Sequence, residues 1–205
     1  VGASVREGRL DNAFVGLGCV VPGGGVIAGR MRVADPPAIH QARERLRRAI
    51  AAHLRDDLMA AYRANQSNEP FSPDAASAGR RALKNMALGY LATLDDPAMT
   101  ELAAAQYDGA DNMTDRMAAL AVLNDRATPA RQRALDDFHD RFKDDPVVID
   151  KWLMVQATSA LPNTLDRVSG LMDHPAFSLR QPNKVRALIG AFCSANPAQF
   201  HAADG

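Results

Sequence analysis

The side chains able to do chemistry are few and scattered. Histidines stand at His40, His53, His139, His174 and His201, and no two lie one helical turn apart, the spacing at which paired imidazoles converge on one metal ion. Asp136-x-x-His139 and His40 with Glu44 place a carboxylate and an imidazole on one helix face. Each is at most half of a metal site and reads as an exposed polar pair. A Glu-x-x-His di-iron arrangement is missing, because neither Glu44 nor Glu101 is followed by histidine at that spacing. Gly23-Gly24-Gly25-Val26-Ile27-Ala28 matches a loose dinucleotide fingerprint, but that chemistry needs a second parallel strand, and Pro36-Pro37 opens a long helix instead. The glycines therefore read as a turn. Cys19 and Cys193 show no CxxC spacing, and Cys193, on or just after an apolar helix, reads as a small core residue. No Gly-Lys-Ser/Thr phosphate loop and no G-x-S-x-G elbow is found. This reading assigns no catalytic residue and no metal ligand to the chain.

The elements that must carry these residues are helices. From Asp35 onward, a side chain able to cap a helix is followed by proline at Asp35-Pro36, Ser72-Pro73, Asp96-Pro97, Thr128-Pro129, Asp145-Pro146 and Asn196-Pro197. Proline presets the first helical turn, where its missing N–H costs nothing. Apolar residues at three-and-four spacing then predict helices over about 37–63, 73–93, 98–107, 114–124, 130–143, 147–157 and 163–172. Ile39, Leu46, Ile50, Leu54, Leu58 and Tyr62 are expected to face inward on the first, Leu165, Val168 and Leu171 on the last, and Trp152 and Tyr90 lie on apolar stripes. No period-two strand is readable, so the fold class is all-α. Short links make successive helices antiparallel neighbours, and their similar lengths predict pairs stacked as an α-solenoid, a HEAT- or ARM-like superhelix without a fixed-period sequence signature. Residues 1–34 form a lead-in that reads as helix or glycine-rich loop, and 35–205 form the helical-repeat domain.

Charge narrows the partners. Lys plus Arg and Asp plus Glu each number 24, for zero formal net charge, so no field draws nucleic acid or an anionic membrane. Arg43, Arg45, Arg47 and Arg48 are diluted by Glu44, Asp56 and Asp57 into a solvated helix face. The sparse cysteines suit a reduced, cytoplasmic compartment, and no apolar run is long enough to span a bilayer.

The best-defined stretch is Gln181-Pro182-Asn183-Lys184-Val185-Arg186-Ala187-Leu188-Ile189-Gly190-Ala191-Phe192, continued by Asn196-Pro197-Ala198-Gln199-Phe200-His201-Ala202-Ala203-Asp204-Gly205. Val185, Leu188, Ile189 and Phe192 form an apolar stripe with Arg186 at its rim, where residue type alone lays an arginine stem along the stripe and its head in water. The run resembles the NPNR-hydrophobic-R-x-LIGAF…NP-x-x-F-H-x-x-DG segment of the M1 zinc aminopeptidases of the aminopeptidase N type, in their C-terminal helical domain. Leu10-Asp11-Asn12-Ala13-Phe14, Asn112-Met113-Thr114-Asp115, Asp150-Lys151-Trp152 and Gln156-Ala157-Thr158-Ser159 resemble that family in the same order.

The resemblance implies a segment, truncated at its C-terminus, of an enzyme that removes N-terminal residues from peptides. Zinc would be held by a His-Glu-x-x-His helix in a catalytic domain of the same polypeptide, and this segment, itself binding none, would wall the cavity. Arg186 would face the peptide substrate, its fixed guanidinium fork holding a carbonyl or carboxylate, with Asn183 as a cap or supporting donor. Lys184 stands where the motif has its first arginine, and Gln181 where it has its first asparagine. The alternative reading is a free-standing helical-repeat module that grips a partner protein.

Overall fold

The structure, a computed structural model, describes residues 12–202, so Leu10, Asp11 and the final Ala203-Asp204-Gly205 of the phrases above lie outside the described residues. Among the described residues every regular element is a helix. In chain order they are α1 (Asn12–Gly18), α2 (Gly24–Ala28), α3 (Pro36–His53), α4 (Arg55–Ala64), α5 (Ala75–Leu91), α6 (Pro97–Gly109) and α7 (Met113–Asn124). There follow α8 (Pro129–Phe142), α9 (Pro146–Ala157), α10 (Thr164–Met172), α11 and α12 (Pro197–Phe200). α11 begins as Pro182–Val185, widens into a π turn at Arg186–Gly190, and resumes as Ala191–Ala195.

The proline-started helices form for the expected reason in most cases. Asp35 accepts from Ala38 N at 3.0 Å, Asp96 from Ala98 N at 3.0 Å, Asp145 from Val147 N and Val148 N at 3.0 and 3.2 Å, and Asn196 from Gln199 N at 3.2 Å. Ser72-Pro73 does not open a helix. Asp74, two residues on, takes the cap by accepting from Ser77 N at 2.9 Å, and α5 starts at Ala75. The helix expected over 37–63 is broken at Leu54, whose φ of −111° and ψ of 21° leave the helical region. Asp56 and Asp57 in the first turn of α4, and His53 in the last turn of α3, suit two helix ends back to back.

The chain divides into two compact units, the first made of residues 12–34 and 41–122, the second of 35–40 and 123–202. In the first, α1 and α4 pack on α5, and Leu58, Tyr62, Leu83, Leu88 and Leu91 are buried. The Tyr90 hydroxyl donates to Cys19 O, and Arg47 Nη2 reaches Gly89 O at 3.0 Å. Lys84 Nζ and Asn85 Nδ2 meet the buried Asp115 carboxylate at 2.7 and 2.8 Å, and Asn112 Oδ1 accepts from Asp115 N at 2.9 Å.

In the second unit α9 is central, touching α8, α10 and α11, and Phe138, Ile149, Trp152, Leu153, Leu188 and Phe192 are buried. Ala134, Ala157 and Ala191 are buried among them, and small side chains allow close helix approach. Leu46 and Leu165 were expected inward and instead face solvent at 50% and 48% exposure. Cys193 is likewise exposed, whereas Cys19 is buried. The pattern placed these residues beside apolar stripes narrower than the three-and-four spacing allows.

Candidate functional site

The segment that presents Arg186 is fixed from below by its neighbour in sequence. Lys184 is only 5% exposed, donates to Pro146 O at 3.0 Å, and sits 2.9 Å from Asp150 Oδ1. This ties α11 to the first turn of α9. The buried face of α11 is Lys184, Ala187, Leu188, Ala191 and Phe192, with Val185 and Ile189 half-buried. The buried Lys184 ammonium is tolerated there because Asp150 and Pro146 O supply its countercharge and acceptor.

Arg186 lies outward at the start of the π turn. Such turns widen the helix by one residue and recur at functional positions. Its Nη1 is 3.5 Å from Asn183 Oδ1, a long contact one turn earlier, and both residues are exposed. Arg186 and Asn183 thus lie side by side on one exposed face, and most of the Arg186 donor capacity is turned to solvent.

Asn196, Gln199, Ser159, Trp152 and Gln156 of the shared phrases spend their side-chain hydrogen bonds inside the fold, whereas Gln181 and His201 are exposed. Buried Asn196 donates to Ala157 O at 2.9 Å and Ser159 O at 2.7 Å while capping α12. Gln199 Nε2 reaches Ala160 O at 3.0 Å, and Ser159 Oγ donates to Asn124 O at 3.0 Å. Trp152 Nε1 donates to Leu135 O at 2.9 Å, and Gln156 Nε2 to Trp152 O at 3.2 Å. Apart from the Gln156 bond, which stays within α9, these join separate segments of the fold, and sequence alone does not separate them from a binding residue.

His139 and His174 behave as packing groups. His139 stacks near Trp152 and His174, with ring centroids 4.9 and 5.2 Å away, and Asp136 is taken by Gln132 at 2.7 Å. His174 Nδ1 accepts from Ala176 N at 3.1 Å, and burial, then the charge of His139, hold its imidazole below the usual histidine range. Glu44 pairs with Arg47 at 3.0 Å. Among the described residues no group of three His, Cys, Asp or Glu is placed to hold a metal ion. Among them, no helix is long and apolar enough to cross a membrane.

Aminopeptidase N of Escherichia coli is 36% identical over 203 residues, 99% of this chain and 23% of its own length. Aminopeptidase N of Caulobacter vibrioides is 38% identical over 207 residues, 100% of this chain and 24% of its own. The crystal structure of Legionella pneumophila aminopeptidase A in complex with aspartic acid superposes with a TM-score of 0.84 at 27% identity, covering 98% of this chain and 24% of that one. The chain thus spans about a quarter of the length of the relatives it matches. Residues 1–205 match the family described as a domain of unknown function (DUF3458_C) with ARM repeats, so the chain belongs to that all-helical repeat family and is homologous to the C-terminal domain of aminopeptidase N.

Proposed function

We propose that the chain is the non-catalytic helical domain of a zinc-dependent, broad-specificity aminopeptidase, walling the cavity in which N-terminal residues are removed from peptides. The metal and its ligands belong to a catalytic domain of the same polypeptide, and the enzyme works in the cytoplasm. Arg186 is the residue turned to the peptide, with Asn183 beneath it.

One observation carries this reading: among the polar residues of the C-terminal phrase, Lys184 and Asn196 are buried in contacts with other helices, whereas Arg186 is exposed with Asn183 as its polar contact. An arginine with open donors holds a peptide carbonyl or carboxylate without competing for a metal. In the full-length protein, Arg186→Ala should impair peptide turnover with zinc content unchanged. Unchanged kinetics would remove Arg186 from the site.

A further inference from the structure

In the second unit, the starts of α8 and α10 open on one cavity of about 510 Å³, lined in part by Thr128, Arg131, Gln132, Asn163 and Arg167. Both helix starts differ from their capped counterparts: Thr128 and Asn163 sit at the N-cap positions, and neither side chain accepts a cap hydrogen bond. The positive ends of two helices thus lie beside the cavity without a side-chain cap, although Pro129 carries no N–H and Arg131 N and Thr164 N are bonded to Thr128 O and Leu161 O at 3.1 Å. A second, independent feature points the same way. Arg131 is 5% exposed, its Nη2 donates to Asn124 Oδ1 at 3.2 Å, and its buried Nε has no acceptor. Arg167 Nε and Thr128 Oγ1 are also buried without partners. Two buried guanidinium donors and a hydroxyl left unbonded are costly unless a ligand supplies the acceptor.

The negative groups nearby do not fill that role. Asp125 attracts Arg131 as a nearby charge, but its carboxylate accepts from Ala160 N at 2.9 Å and does not reach the Arg131 Nε, which like the Arg167 Nε keeps no acceptor. Burial, and after it the charge of Arg167, push the Arg131 guanidinium down to about 10 against the opposing pull of Asp125, so it stays a cation at neutral pH beside a like charge.

We propose that this cavity binds an oxyanion, a phosphate or a carboxylate, between the Nε–H groups of Arg131 and Arg167, with the Thr128 hydroxyl as a further donor at the paired helix starts. Planar guanidinium donors and helix N-termini are the groups that recognise such anions. The site is separate from Arg186 and does not rest on the aminopeptidase reading.

The test is thermal melting of the full-length protein titrated with inorganic phosphate, for wild type, Arg167→Gln and Arg131→Gln. The wild type should melt at rising temperature as phosphate is added. Arg167→Gln, at a half-buried position that tolerates the change, should weaken the response about tenfold or more. Without phosphate it should melt no lower than wild type, because one of two facing cations is gone. Phosphate bound to a metal elsewhere in the polypeptide would survive both substitutions, so an undiminished response in the variants overturns the proposal, as does no response in wild type. Should Arg131→Gln fail to fold, Arg167→Gln decides alone. A tripeptide with a free C-terminal carboxylate, run against its amide, separates the sources: a response to the acid alone identifies a peptide end, and a response to phosphate alone identifies the free ion.

Discussion

Replacing Lys184 by methionine keeps the aliphatic stem and removes the ammonium that joins α11 to α9. The side chains of Lys184 and Asp150 are 7% and 23% exposed, so the pair is nearly but not fully dry. Stripping one partner from a buried pair costs about 3–5 kcal/mol, because the other charge is stranded. Water reaches part of Asp150, and Pro146 O lies in the first turn of a helix that can use it, so the expected loss is about 2–3 kcal/mol. Lys184→Met with Asp150→Leu removes both charges and should recover to within about 1 kcal/mol of wild type. The assay is urea unfolding followed by the fluorescence of Trp152, the single tryptophan of the chain, which lies on α9 and reports this unit. A single variant within about 0.5 kcal/mol of wild type would mean the pair behaves as a surface pair, and the anchoring argument would fail.

Asn196→Ala removes two buried bonds, to Ala157 O and Ser159 O, and the α12 cap, and should cost about 2–3 kcal/mol in the same unfolding assay. A loss below about 0.5 kcal/mol would show that the helix ends pair otherwise. Because burial and His139 depress the folded pKa of His174 below its unfolded value near 6.5, stability from this site is complete above that pH and falls as pH drops through it. His174→Phe should flatten the stability profile between about pH 7 and 5, and a profile identical to wild type would refute the assignment.

The helices were legible because their signals are local. Asp96, Asp145 and Asn196 beside proline announce their own helix starts, and their caps form. The break at Leu54 carried a legible sign in Asp56-Asp57, masked by the continuous apolar stripe from Ile50 to Tyr62. The buried face of α11 was harder: a stripe of Val185, Leu188, Ile189 and Phe192 cannot reveal that Lys184 turns inward, because its countercharge is on α9. Residue type placed the Arg186 head in water, and the resemblance added its role. Arg131 and Arg167 gave no signal, since their meeting depends on two helix starts brought together from distant parts of the sequence.

The central claim is that Arg186 holds peptide while its motif neighbours hold the helix. The direct measurement is kcat/KM of the full-length protein with a short peptide, for wild type and Arg186→Ala, alongside zinc content and the thermal melting curve. A lost charge-assisted hydrogen bond predicts a fall of about tenfold to a hundredfold, with metal and stability retained. Turnover equal to wild type would contradict the account.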